Sequence, residues 1–423
     1  MVLAVFFILG TSADAERLIS AQNSRTTRTD RGVERIYAGS VRALFGSVEI
    51  EADSAVVRTD GDDYLFLRGV RLRDGKRSIR ADALTYVAAD SVARFRGRVR
   101  IADGGRSIRA VRVEYDLGRQ MVQATGHVRV RIDDGFDLAA ERWFHDTQAD
   151  TGRLQQGVEV THITDGDTVH VTADGASLST GMNTVVFTGA PHFRIGNYVG
   201  RCDTLLYARE PGAVRLTGSA SLDWTTAGRP PGAEPATGGA EETHGVQGDE
   251  IQLALKDGLP VSLTIEGDAL LLAKKTQSDG PRHFQLRAGR TDMTIESGRI
   301  ATVNAEGACR IEFKGRAGDS TSMQSDRSVL AFDAGHLARI DLVAAVISHN
   351  TQGAVHHIEG GQVRLSFVLE RIQSVRADSS ARSQTLDGQT HITSDQIELI
   401  FENGNLASAQ AAGGVSGEIE GAR

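Results

Sequence analysis

The sequence predicts an all-β chain of stacked, bent antiparallel strands, folded over like a taco. Three observations predict it. A glycine and a valine, followed about ten residues later by Ile-x-Ala-Asp-x-x-x-Tyr, return again and again along the chain. Asp-Gly pairs stand between alternating apolar runs. The side of the strand that carries the apolar residues switches at the Ala-Asp step of each copy. A repeat of this kind makes the chain a stack of one structural unit, so function is to be read from the stack.

The repeat is clearest early in the chain. It runs from Gly69-Val70 to Ile79-Arg80-Ala81-Asp82 and Tyr86, then from Gly97-Arg98-Val99 to Ile108-Arg109-Ala110 and Tyr115. A third copy runs from Gly126-His127-Val128 to Leu138-Ala139-Ala140 and Trp143-Phe144. Looser copies follow at Val171-Thr172-Ala173-Asp174, Cys202-Asp203, Ser325-Asp326 and Ser394-Asp395. The opening glycines fall at Gly69, Gly97, Gly126, Gly157, Gly189 and Gly218, a spacing that suits two long strands and two turns. The turns are Asp74-Gly75, Asp103-Gly104, Asp134-Gly135, Asp165-Gly166, Asp257-Gly258 and Asp387-Gly388. Asp-Gly supplies the positive φ angles that a tight hairpin requires.

Apolar alternation sets the geometry. Phe95, Val99 and Ile101 share one parity, which predicts a strand running straight through Gly97. Ile108 and Ala110 are even, whereas Val111, Val113 and Tyr115 are odd, and the same switch separates Ile79 and Ala81 from Leu84 and Tyr86. A strand that changes its inward parity must bend or bulge there. The expected strand corners are therefore Ala81, Asp82, Ala110, Ala173 and Asp174, with the aspartate bonding backbone at the corner. Strands bent at the same rung build two leaves that face each other across an apolar lining. That lining is expected to comprise Val70, Leu72, Ile79, Leu84, Tyr86, Phe95, Val99, Ile101, Ile108, Val113, Tyr115, Val128 and Val130. Outward positions carry Arg71, Arg73, Arg80, Arg98, Arg100, Arg109 and Arg112, read as a solvated face beside acidic neighbours, with a role in holding phosphates at the rim of the groove as the alternative.

Composition agrees with a turn-rich β chain: 423 residues hold seven prolines, 47 glycines and 5% aromatic residues. A net charge of −8 argues against a nucleic-acid partner held by phosphate neutralisation. At the N-terminus, Val2 to Gly10 is an apolar core too short to span a bilayer, followed by Ala13-Asp14-Ala15, an A-x-A cleavage pattern. Residues 1–15 read as a secretory signal peptide; no basic residue precedes the core, and a misassigned start or a buried apolar strand is the alternative. Residues 16–224 hold the clear repeats. From Thr225 to Gly245 three prolines cluster and alternation stops, which reads as a disordered loop or a linker. Residues 246–423 resume the pattern in degenerate form. Cys202 and Cys309 lie about three repeats apart in different phases, too far to pair, and are expected as free buried thiols.

Chemistry is sparse. His356-His357 is the one histidine pair; adjacent strand residues face opposite sides and chelate one metal poorly, so an exposed β-edge is expected there. No nucleophile elbow, His-Glu-x-x-His helix or phosphate loop appears, and neither a metal nor a cofactor is expected. Asp53, Asp82, Asp174, Asp203, Asp326 and Asp395 form a ladder, as carboxylates do in polysaccharide-cutting β-helix enzymes. Their repetition at each bend favours a structural role, and the chain is read as a non-enzyme.

The segments GVRLRDGKRSIRADALTY and GRVRIADGGRSIRAVRVEY resemble the repeat of the OstA/LptA family of lipopolysaccharide-transport proteins, Gly-Asn-Val-x-Ile, a turn, then Ile-x-Ala-Asp-x-x-x-Tyr. Arg98 and His127 replace the asparagine, and the likeness is good over roughly residues 39 to 210. The resemblance implies a β-jelly-roll, or β-taco, in the periplasm, whose groove carries the acyl chains of lipopolysaccharide or a related glycolipid toward the outer membrane. It also implies partners: other jelly-roll transport proteins at the inner and outer membranes, joined by edge-strand pairing, and head-to-tail self-association. The chain ends at Arg423, which leaves no room for the transmembrane barrel of the family's outer-membrane member. A structural or adhesive β-solenoid with a packed core is the competing reading, and a polysaccharide-acting enzyme a third.

Overall fold

The computed structural model describes residues 5–7, 17–29, 32–58, 63–132, 135–163, 168–179, 183–226, 242–277, 280–314, 320–333, 335–351, 354–368, 371–385, 390–402 and 405–419. These residues form antiparallel strands and, among them, no helix. The chain divides into two compact units, Met1–Thr164 with Thr168–Pro191, and Asp165–Asp167 with His192–Arg423. Each is a stack of bent strands, as the sequence predicts.

The first unit comprises β1 (Val5–Phe7), β2 (Arg17–Ser20), β3 (Asn23–Thr29), β4 (Gly32–Phe45), β5 (Val48–Arg58), β6 (Asp63–Asp74), β7 (Arg77–Val87), β8 (Val92–Asp103), β9 (Arg106–Asp116), β10 (Met121–Ile132), β11 (Phe136–Asp146), β12 (Thr151–Ile163), β13 (Thr168–Leu178) and β14 (Thr184–Thr188). From β4 to β13 each strand pairs antiparallel with the next along the chain. Two-residue turns close Asp74 on Arg77 and Asp103 on Arg106, and Gly75, Gly104 and Gly105 take positive φ there. Of the expected leader, only the backbone of β1 is described, paired with β2; the expected cleavage site lies outside the described residues. The Asp165-Gly166 and Asp387-Gly388 turns lie outside them too.

Each strand bends in its middle, and the register shows how. On β7 one residue, Asp82, is opposed by two residues on either neighbour, Arg68-Gly69 on β6 and Gly97-Arg98 on β8. All four opposing residues have positive φ, between 46° and 76°. Val111 on β9 is likewise opposed by Gly97-Arg98 and by Gly126-His127. An extra residue on one strand is a bulge, which bends it. Because the glycine strand gains a residue, its inward parity is unchanged; the Ala-Asp strand gains none and switches. The expectation that Phe95 to Ile101 runs straight is thus corrected, since two left-handed residues bend that strand at Gly97 while keeping both ends facing inward.

The half-strands assemble into two leaves. The first holds 63–67, 83–87, 92–96, 112–116, 121–125 and 142–146; the second holds 70–74, 77–81, 99–103, 106–110, 128–132 and 136–140. Their inner faces meet. Phe45, in the second leaf, has its ring centroid 4.8 Å from Tyr64 and 4.7 Å from Tyr86, both in the first.

The second unit repeats the rule with longer strands, such as Leu259–Gln277 and Gly280–Glu296. Gly218-Ser219 opposes Asp249, Gly307-Ala308 opposes Asp326, and Ser379-Ser380 opposes Asp395, each pair with positive φ. Phe313 and Phe367 meet across its leaves with centroids 5.7 Å apart. Its strands Ala213–Thr226 and Glu242–Lys256 pair Thr226 with Glu242, and the proline-rich residues between them lie outside the described residues.

Candidate functional site: an apolar interior with a polar mouth

The corner is the origin of the site. A Cβ placed on Gly97 would meet Asp82 Oδ2 at 2.5 Å, and the same geometry sets Gly189 against Asp174 at 2.6 Å and Gly218 against Asp203 at 2.3 Å. The corner carboxylate therefore packs beneath a glycine that must both lack a side chain and hold positive φ. In the second copy Val111 replaces the aspartate, and its Cβ lies 2.9 Å from the corresponding point on Gly126. Ala81 and Ala110 are buried at the bend, Ala173 is half-buried, and Asp82 and Asp174 are exposed. The expectation of an aspartate bonding backbone is refined at Asp82: its described bonds go to the guanidinium of Arg98, at 2.7 to 3.2 Å. That pair holds the Asp82 carboxyl below its ordinary range through the hydrogen bond from Arg98. Val111, grouped by parity with Val113 and Tyr115, is instead 48% exposed, because it is the corner residue itself.

From this corner the two leaves converge on an apolar interior. Val70, Leu72, Ile79, Leu84, Tyr86, Phe95, Val99, Ile101, Ile108, Val113, Tyr115, Val128 and Val130 are all buried, none more than 7% exposed. Phe66, Leu138, Trp143 and Leu154 join them. The side chains of the two leaves touch, so the interior is closed.

Opposite the bend, where the leaves have no backbone connection, polar side chains fasten them. The Tyr115 hydroxyl, at the end of the first leaf, donates to Asp74 Oδ2 of the second at 2.9 Å. The Arg77 guanidinium lies 4.8 Å from the centre of the Tyr115 ring and donates to Asp103 at 2.8 and 3.0 Å. Arg106, in the second leaf, donates to Asp150 in the turn that follows β11, at 2.9 Å through Nη2, and its Nη1 lies 3.1 Å from His145 Nε2. Burial pushes the Tyr115 hydroxyl up to about 12, and the Asp150 carboxylate raises Arg106 further. Burial also lowers His145, against a smaller opposing pull from Asp150.

This mouth was not anticipated, although a signal for it exists. Arg77 shares the inward parity of Ile79 and Ala81, Arg106 that of Ile108, and His145 that of Trp143. A charged or titratable residue on the inward parity at a strand end marks a position where the interior meets water.

Two further expectations are corrected. His356 is buried and His357 half-buried in a strand, Ala354–Val368, paired on both sides, so the pair is no exposed edge. His356 instead meets the Phe401 ring edge-on, and His357 Nδ1 lies 2.8 Å from the Ser348 hydroxyl. The outward arginines divide. Arg98 bonds Asp82, and Arg71 and Arg73 stand opposite Glu51 and Glu49. Arg80, Arg100 and Arg109 instead have an arginine in register on both sides, where an acidic neighbour was expected. Arg71, Arg80, Arg100, Arg109 and Arg129 stand opposite one another on five successive strands. Cys202 and Cys309 are free and buried, and burial raises the Cys202 thiol to about 11. Among the described residues, no three histidines, cysteines or carboxylates group to hold a metal.

Comparison with known proteins bears on the first unit. Residues 18–151 match the family described as "LptA/(LptD N-terminal domain) LPS transport protein". No curated protein sequence matches the chain. Among solved structures, LptH, the LptA-homologous periplasmic component of the lipopolysaccharide-transport device of Pseudomonas aeruginosa, is similar at 13% identity. The match covers 34% of this chain and 82% of that one, with a TM-score of 0.19, too slight a likeness to bear on function. Over residues 18–151, then, the chain carries a domain of the OstA/LptA-like family of lipopolysaccharide-transport proteins.

Proposed function

We propose that the chain is a periplasmic lipid carrier whose interior accepts the acyl chains of lipopolysaccharide or a related glycolipid and passes them toward the outer membrane. The family match over residues 18–151 carries this reading. The lining side chains named above would contact the acyl chains, and the Tyr115–Asp74 and Arg106–Asp150 contacts would part to admit them. The edge strands of the stack would pair with other jelly-roll transport proteins at the two membranes, or with a further copy of the chain.

Physical arguments favour opening onto lipid rather than onto water. Exposing one large apolar side chain to water costs about 1.5–3 kcal/mol, which keeps the leaves shut in its absence. An acyl chain between the leaves preserves apolar surroundings for the lining and gains about 0.8 kcal/mol for each methylene it buries. The mouth resists through side chains alone, whereas the bend is held by backbone ladders on both flanks.

The closed interior also favours a second reading, a structural β-solenoid whose core is simply packed. Purification from an outer-membrane-bearing host followed by mass spectrometry of extracted lipid separates the two. Glycolipid recovered in near-stoichiometric amount supports the carrier; a lipid-free protein that also fails to take up added lipopolysaccharide supports the scaffold. Neither reading assigns the chain an enzymatic role, and the matched family is one of lipid transport.

A further inference from the structure

The outer face of the first unit carries a charge arrangement that the interior does not explain. Arg71 pairs in register with Arg80, Arg80 with Arg100, Arg100 with Arg109, and Arg109 with Arg129. All five are exposed. At about 4.8 Å between strands the row is about 19 Å long. Like charges placed directly opposite in a sheet destabilise it. Yet none of the five makes an ion pair among the described residues, whereas other exposed arginines do. In the first unit Arg94 meets Glu114 and Arg131 meets Asp137. In the second Arg290 meets Glu266 and Asp292, Arg339 and Arg364 meet Asp341, and Arg376 meets Asp378. The row ends in acidic or neutral neighbours, Glu51 beside Arg71 and Ala139 beside Arg129.

The charge extends across the bend. Arg96, Arg112 and Arg142 stand on the first leaf next to the corner, also exposed and without an ion pair among the described residues. Between the two rows projects Val111, 48% exposed, flanked at the corner by Asp82 and Glu141, which are taken up by Arg98 and His127. The strip is thus two-dimensional, with an apolar side chain among cations that its two carboxylates do not neutralise. A single phosphate calls for a convergent cradle of donors, and a linear polyanion for one track of charge. A sheet of anions with an apolar layer beneath it matches the strip better.

We infer that this face docks the first unit on an anionic lipid bilayer, the guanidinium groups lying among phosphate headgroups and Val111 dipping between them. The face is the outer one, so docking is independent of what the interior carries. The counter-anions of the lipid would relieve the repulsion that the row carries in free solution, and docking would weaken as salt screens it.

Co-sedimentation of the full chain with phosphatidylcholine vesicles, with and without phosphatidylglycerol, tests this. The wild type is expected to bind only the phosphatidylglycerol vesicles and to be released by high salt, which would not release lipid held in the interior. The triple variant R80Q/R100Q/R109Q is expected to bind roughly a hundredfold more weakly, given the usual contribution of each basic residue near an anionic surface. The control R290Q/R339Q/R364Q should bind as the wild type does. Thermal unfolding checks the fold: removal of like-charge pairs should leave the Tm of the triple variant equal or higher. If that variant fails to fold, Arg100→Gln alone should still weaken binding severalfold. Equal binding by the ladder variants, or no dependence on phosphatidylglycerol, overturns the inference. Retention on immobilised heparin without vesicle binding overturns it as well, in favour of a linear polyanion.

Discussion

At Gly97 two requirements coincide, a φ of +76° and an Asp82 oxygen 2.5 Å from where a Cβ would sit. Gly75 has a φ of +57° and nothing within 4 Å of that point. Alanine at Gly75 should therefore cost about 1 kcal/mol for the left-handed backbone alone, and alanine at Gly97 clearly more. Denaturant midpoints measure both, and equal losses would show that the corner contact is unimportant. The repeated glycine and aspartate were legible in sequence, but their mutual packing was not, because it joins residues on different strands. A second residue-scale expectation concerns pH. His145 is buried with its folded pKa lowered beneath the ordinary value of 6.5, chiefly by desolvation, with Arg106 also lowering it and Asp150 and Asp103 opposing. The unfolded state then binds the proton first, so the stabilising contribution of neutral His145 is complete above the unfolded value and is lost as pH falls below it. The denaturation midpoint should drop between about pH 7 and pH 5 more steeply in the wild type than in His145→Phe. Parallel pH profiles would contradict this assignment.

Strands inherit their shape from a one-residue difference. Val111 is one residue facing two on each neighbouring strand, and that inequality turns Val113 and Tyr115 inward after Ile108 and Ala110. Deleting Val111 should place Val113 and Tyr115 on the solvent side, since a one-residue slip reverses every side chain beyond it. The expected outcome is loss of the near-ultraviolet tyrosine signal and of cooperative unfolding; a variant as stable as the wild type would refute the corner mechanism. The parity switch was readable because apolar residues report burial directly. The bend in the glycine strand was hidden, since two left-handed residues leave parity unaltered. The mouth belongs to this scale as well. Tyr115→Phe removes the hydroxyl bond to Asp74 and should destabilise the protein by about 1 kcal/mol. In double-mutant cycles Arg106 with Asp150 should couple measurably, while the exposed pair Arg98 with Asp82 should not.

For the molecule as a whole, the corner rule matters more than the repeat phrase. Beyond the family match the phrase decays, yet Asp203 beneath Gly218, Asp249 beneath Gly267 and Asp395 beneath Gly413 preserve the same contact. Asp249 escaped notice in the sequence because Gly248 replaces the usual alanine before it. The arginine row escaped for another reason: sequence shows which residues face outward, but only register shows what stands opposite them. The closed interior sharpens the functional question, because a packed core and an empty carrier look alike until lipid is offered. A photo-crosslinking residue placed at Val99, with Arg100 as its outward neighbour, decides between them in cells. The carrier account predicts a lipopolysaccharide or other glycolipid adduct from Val99, whereas Arg100 should give only the bilayer phospholipid that the outer face would meet. Glycolipid adducts from Arg100 alone, or from neither position, would contradict it.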